Sequence, residues 1–275
     1  MALPGRSLDS RPIVIGGCYR SGTSLVRRLL DSHSAIHCGP EIKFFLDFYN
    51  QYTVDDPTGP VRFLFSARSV LPDPDLLEIT GAAFVSIHQR AAQIAGKRRW
   101  ADKCPENVLY TAEWSSLLGD DWVLLHVVRN PLDTLASIKE ADWQDALPAN
   151  FDSRIDVYIR YLEAGIAFGA AHPARYRMIL YEELVSDPQT VLSALMHWLN
   201  EEFESGQLSF NSRPHQLGLE DMKILNTSEV HRDSIGRWRE ILTPDESRQV
   251  VDRTGSLWRT ADCRRRYELP ALLHL

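Results

Sequence analysis

The sequence predicts an α/β fold in three layers, a central parallel sheet flanked by helices, and three observations carry that prediction. Short β-branched apolar runs alternate along the chain with segments of helical periodicity. The run from Trp122 to Val128 is apolar almost without interruption, as a strand buried on both faces of a parallel sheet must be. The first run, Pro12 to Ile15, leads through a glycine-rich turn straight into a helical pattern, with Leu25, Val26, Leu29 and Leu30 on one stripe and Arg27 and Arg28 between them. No composition break, internal repeat or low-complexity tract divides the 275 residues, so a single domain, 1–275, is expected.

That first turn, Gly16 to Ser24, is where the chemistry is legible. In a strand, tight glycine loop and helix, successive backbone N–H groups and the positive end of the helix dipole converge on one point, which suits a phosphate or a similar tetrahedral anion. Gly17, Gly22 and Ser24 match the spacing of the nucleotide pattern G-x-x-x-x-G-K-[ST], but Thr23 stands where the lysine should be. An ATP or GTP enzyme needs that lysine on its β- and γ-phosphates. The cation in this loop is Arg20, whose forked donors suit non-bridging oxygens. The loop therefore reads as built for an anion other than a magnesium-bound triphosphate.

The later elements follow in order. Ala35 to Cys38 is a short extended piece closed by Gly39-Pro40, and Glu41 opens a helix carrying Phe44, Phe45, Phe48 and Tyr49. Read from the residues alone, Glu41 is a carboxylate serving the free N–H groups of that helix's first turn. Residues 50–74 read as a long loop or short helices, a candidate acceptor-binding surface. Leu76 to Ala95 is an amphipathic helix, Lys97 to Lys103 a strand, and Pro105 to Leu118 a further helix. Lys103 ends its strand on the edge where such folds place ligands, although taken singly it reads as a surface charge. Arg129 ends the long apolar strand, Pro131 suits the first turn of the next helix, and Ser137 lies about two turns on. His126, in mid-strand, reads as a hydrogen-bonded core residue. Asp152 to Ala171 is helical, Arg175 to Leu184 is a strand and turn containing Tyr181, and Asp187-Pro188 opens another helix. Residues 201–241 are polar and irregular, and Thr243-Pro244-Asp245-Glu246 resembles a capping box ahead of a last helix.

Taken together, Tyr19-Arg20-Ser21-Gly22-Thr23-Ser24, Leu29 to His33, and Cys38-Gly39-Pro40-Glu41 resemble the 5′-phosphosulfate loop and following segment of sulfotransferases that use 3′-phosphoadenosine-5′-phosphosulfate (PAPS). The likeness is to the tyrosylprotein-sulfotransferase-like branch, in a bacterial-type soluble form. It departs from the cytosolic aryl and steroid enzymes, which carry lysine where Arg20 stands. It spans about residues 12–258. The resemblance implies that Arg20, Ser21, Gly22, Thr23 and Ser24 bind the donor, and that Arg129 and Ser137 hold its 3′-phosphate. It further implies nucleotide contacts from Tyr181, Ser228 and Arg232, with the register of 226–238 open by a residue or two. Glu41 becomes the base, and Arg20 and Lys103 the cations that stabilise the transferred group. PAP would be the product and no metal would be needed. Cys38 matches a disulfide-bonded cysteine of the lumenal enzymes, whose partner position falls on Ala101.

A net charge of −7 argues against broad nucleic-acid binding, while leaving room for a local basic pocket. Met1 to Arg11 has no signal-like apolar core and no run of about 18 apolar residues follows, so a cytoplasmic protein without membrane association is expected. Its four cysteines include no C-x-x-C pair, so reduced thiols are the expectation. The acceptor would be any hydroxyl-bearing molecule, whether metabolite, carbohydrate, lipid or peptide tyrosine, and a homodimer is compatible with the sequence. Two other readings stay open at this point: a degenerate kinase or nucleoside triphosphatase, and a non-catalytic nucleotide-binding module.

Overall fold

The computed structural model describes residues 11–49, 62–141, 147–212, 215, 216, 218, 224, 227 and 229–260. Its centre is a sheet of five parallel strands, β1 (Ile13–Gly16), β2 (Ile36–Cys38), β3 (Arg99–Lys103), β4 (Val123–Val128) and β5 (Tyr176–Leu180), in the order β2-β3-β1-β4-β5. Side chains alternate between faces along a strand, so a strand buried on both sides feeds apolar side chains into two cores. In β1, Val14 enters one core while Ile13 and Ile15 enter the other; in β4, Leu124 and Val128 face the first, and Val123, Leu125 and Val127 the second. The fold is thus α/β, with helices covering both faces of a parallel sheet.

The two faces are filled differently. Beneath one lie α1 (Thr23–Asp31), α8 (Tyr181–Ser186) and α9 (Pro188–Trp198), contributing mainly Leu, Ile, Val and Met. Over the other pack α2 (Phe44–Tyr49), α4 (Asp73–Ile94), α5 (Thr111–Leu118), α6 (Pro131–Ala141), α7 (Phe151–Ala171) and the last helix, Pro244–Thr260. Aromatic contacts crowd this second face, with Phe44 stacked on Phe84 at 4.5 Å and Trp114 between Trp100 and Trp122. The short α3 spans Arg62–Ala67 within the expected loop, whose residues 50–61 lie outside the described residues.

Several sequence readings need adjustment. The helix after Lys103 is split: Pro105–Leu109 forms a 3-10 turn and α5 starts only at Thr111. The Asn107 amide donates to the Ile15 carbonyl and the Asp102 carboxylate, which pulls that turn onto the sheet and interrupts the helix. Glu41 precedes α2 in irregular chain and sits in no helical turn. Lys103 is wholly buried, so it is not a surface charge. Other readings hold in detail. Thr243 Oγ1 accepts from the Glu246 N–H and Glu246 accepts from the Thr243 N–H, the reciprocal pair of a capping box. His126 is buried, with Nδ1 2.9 Å from the Tyr176 hydroxyl. Cys38 lies in register with Ala101, and Cys18, Cys38 and Cys104 are free thiols.

Candidate active site

Because every strand runs the same way, Gly16, Cys38, Lys103, Val128 and Leu180 all end on one edge of the sheet. The chain crosses from β3 to β4 past β1, so the strand order reverses beside the β1 loop, where such folds open a crevice. The candidate residues sit along this edge.

The loop after β1 has a demanding backbone. Gly17 (φ 153°) and Gly22 (φ 95°) occupy conformations that favour glycine, and a Cβ on Gly22 would come within 2.5 Å of the Tyr181 ring. Arg20 is left-handed too, at φ 65°, a strain of about 1–3 kcal/mol that the surroundings must hold. They do so from both ends: Arg20 Nε donates to Ser137 Oγ at 3.1 Å, and the Arg20 carbonyl accepts from the Arg129 guanidinium at 2.9 Å. Gly22 caps α1 with no carboxylate in the first turn, so the helix's positive end stays uncompensated within its own segment.

Arg129 gathers the nucleotide side. Besides the Arg20 carbonyl it donates to the Ser234 carbonyl at 2.5 Å, and its guanidinium lies 4.7 Å from the centre of the Tyr181 ring. Its buried Nε has no hydrogen-bond partner among the described residues, and neither does the buried Ser21 hydroxyl. Buried donors left open in this way are suited to an anion's oxygens. A cleft of about 350 Å³ opens here, lined by Arg20, Gly22, Ser24, Arg129, Ser137 and Tyr181 together with Thr227, Ser234 and Arg237 from the late segment. Asp133 fastens that segment, accepting from the Gly236 and Trp238 N–H groups at 2.8 and 3.1 Å.

Glu41 and Lys103 stand beside this cleft. Lys103 Nζ donates to Ser24 Oγ at 3.0 Å and to Glu41 Oε1, while Lys43 Nζ lies 3.3 Å from Glu41 Oε2 and 3.2 Å from Glu106 Oε1. Glu106 also accepts from the Tyr19 hydroxyl and, at 2.7 Å, from the Cys104 thiol. Burial alone would raise the Glu106 carboxyl, but the Lys43 charge and these hydrogen bonds outweigh it and hold the group below its ordinary value. For Lys43, burial would lower the ammonium, and the Glu106 and Glu41 charges reverse that into a net rise. Arg27, on α1, donates to the Gly39 carbonyl at 2.6 Å and so ties the base segment to the helix of the donor loop.

The structure thus brings Arg20, Gly22, Ser24, Arg129, Ser137 and Tyr181 around one cleft, with Lys103 and Glu41 reached through Ser24. Arg232 is exposed and is not among the lining residues; Ser234 and Arg237 line the cleft from its segment. Ser228 lies outside the described residues. Sequence reasoning passed over Lys43, Glu106, Arg27 and Asp133. The signal for the first two was present as two charged patterns of opposite order, Glu41-Ile42-Lys43 and Lys103-Cys104-Pro105-Glu106.

A model of the Sulfotransferase family matches residues 12–205. The chain belongs to that family. A nodulation protein, NoeE of Sinorhizobium fredii, is 23% identical over 91% of this chain, and an uncharacterized protein of Aquifex aeolicus is 24% identical over 88% of it. The chain spans 66% of the length of NoeE and 33% of the length of the Aquifex protein. Among solved structures, the sulfotransferase domain of the Synechococcus PCC 7002 olefin synthase superposes with a TM-score of 0.68 at 19% identity, over 98% of this chain and 100% of that one. The sulfotransferase domain from the curacin biosynthetic pathway gives 0.65 at 19% identity, again over 98% and 100%. Mouse sulfotransferase SULT7A1, complexed with PAP, gives 0.52 at 15% identity over 95% of this chain and 87% of that one. These likenesses bear out the fold.

Proposed function

We propose that this sulfotransferase moves the sulfuryl group of PAPS onto an acceptor hydroxyl by in-line displacement and releases PAP. PAPS supplies an activated sulfuryl group, and the residues of the chain divide the remaining work. Glu41 orients the acceptor hydroxyl and takes its proton as the new O–S bond forms. Arg20, Lys103 and the loop N–H groups stabilise the charge that builds on the sulfuryl oxygens and on the departing phosphate oxygen. Arg129, with Ser137, recognises the 3′-phosphate that distinguishes this donor from ATP. Tyr181 and the late segment containing Ser234 and Arg237 bound the nucleotide cleft, and Ser228 is a further contact proposed by resemblance.

The observation that carries the reading is Arg129 itself. Its two outer nitrogens donate to the Arg20 and Ser234 carbonyls and so hold a guanidinium cation in the wall of the cleft of about 350 Å³, which supports recognition of an anionic group there. The missing loop lysine weighs against a triphosphate in the same place. For the acceptor, two neighbours named for an olefin synthase and a biosynthetic pathway support a small-molecule metabolite. Calorimetric titration of PAP, ADP and Mg-ATP tests the donor. Tight PAP binding not shared by ADP is expected, and a preference for Mg-ATP would overturn the proposal.

A further inference from the structure

We infer that Lys43 and Glu106 are positioning residues that hold the Glu41 carboxylate in place for its role as base. The inference rests on the function proposed above and goes beyond it in naming what aims the base. Glu41 lies in irregular chain between β2 and α2, so no regular backbone ladder orients it. Its two carboxylate oxygens are instead held from opposite sides, Oε1 by Lys103 and Oε2 by Lys43 at 3.3 Å.

The two lysines differ in what holds them. Lys103 is fully buried at the end of β3 and is fixed further by Ser24 Oγ at 3.0 Å. The Lys43 side chain is 23% exposed on the same irregular segment as Glu41, so it could swing into water. Glu106 prevents this by receiving the ammonium at 3.2 Å. Glu106 is itself immobile: it is buried in the 3-10 turn after β3 and accepts from the Tyr19 hydroxyl and the Cys104 thiol. Burial, with the Glu106 charge next in weight, pushes both the Tyr19 phenol and the Cys104 thiol upward, so both stay protonated and serve as donors.

The result is a row of alternating charges, Lys103, Glu41, Lys43 and Glu106, made where the segment Glu41-Ile42-Lys43 meets the segment Lys103-Cys104-Pro105-Glu106. Each interior charge has a neighbour of opposite sign on both sides. Without Lys43, two carboxylates share the region with no cation between them, and Glu41 loses one of its two anchors. Without Glu106, Lys43 loses the partner that keeps it beside the base. Lys43 and Glu106 therefore act as one unit, and removing either should cost nearly as much as removing both.

The test compares Lys43→Met, Glu106→Gln, the double variant and Lys43→Arg. Chemical denaturation of this set, repeated in a Glu41→Gln background, reads the coupling without needing turnover. Lys43 should couple to Glu41, and that coupling should vanish once Glu106 is Gln. Single-turnover formation of PAP from PAPS, with water as acceptor, should slow by about 100-fold in each single variant, a size expected for a misplaced catalytic group. The double variant should be no slower than the worse single, Lys43→Arg should recover most of the rate, and PAP affinity should stay within about 2-fold throughout, since neither residue contacts the nucleotide cleft. Strictly additive stability effects, a wild-type rate in Lys43→Met, or a parallel loss of PAP affinity would each overturn the inference. A wild-type protein that does not bind PAP would instead overturn the proposed function.

Discussion

Arg129 and Glu41 stand on opposite kinds of support. Arg129 leaves the end of β4, a central strand buried on both faces, and backbone carbonyls from two distant segments fix its guanidinium. Glu41 leaves irregular chain and is fixed by side-chain ammonium groups. The nucleotide side is thus a product of topology, because parallel strands deliver their loops to one edge and hold them there. The base side is a product of ion pairs between side chains of two segments. The two should respond differently to mutation, with damage to the first appearing as lost donor affinity and damage to the second as lost rate.

The largest expected effect is on the base side. Glu41→Ala should lower the rate of sulfuryl transfer by about 10²- to 10⁴-fold, the range typical for a general base, while PAP affinity measured by calorimetry stays within about 2-fold. A comparable loss of PAP affinity would erase the division between the two sides. Next is Gly22→Ala, which forces a side chain into φ 95° and towards the Tyr181 ring. The strain should cost about 2 kcal/mol in chemical denaturation and weaken PAP binding together with stability. Unchanged PAP affinity there would mean that the loop backbone is not part of the nucleotide site.

Acid should probe the strand that carries Arg129. Burial lowers the His126 imidazole from its ordinary 6.5 to about 3, so the folded state resists a proton that the unfolded chain accepts. Stability contributed by the neutral ring is therefore present above pH 6.5 and lost progressively as pH falls towards about 3. Denaturation midpoints should decline over that window, and the decline should be shallower in His126→Gln, which has no titrating group at that position. The smallest effect belongs to Thr243→Ala. Loss of the cap should cost about 1 kcal/mol in thermal unfolding and leave both PAP affinity and transfer rate unchanged, because the capping box lies on neither side.

How far the sequence could be read follows from the same contrast. Periodicity and glycine chemistry act locally, so the β1 loop, the apolar β4 run and the Thr243 cap were all legible in the sequence, whereas a role for Arg129 came from the family resemblance. The family resemblance assigned Arg20 and Ser137 to one donor; the hydrogen bond between them, across 117 residues, is explained by the sheet order that seats β1 beside β4. Lys43 and Glu106 escaped notice because an ion pair between residues 63 apart leaves no periodic trace. The split after Pro105 escaped for a related reason, since the Asn107 amide is claimed by the Ile15 carbonyl, 92 residues away. In the late segment, irregular chain fixed by Asp133 and Arg129 offered no register, and Ser234 and Arg237, not Arg232, line the cleft.

The most direct test of the account is a calorimetric titration of PAP against two variants side by side, Arg129→Ala and Glu41→Ala. Loss of the 3′-phosphate contact predicts PAP affinity reduced by about 100-fold in the first, as befits a charge-assisted contact, and near wild-type affinity in the second. Equal affinities in the two variants, whether both retained or both lost, would contradict it.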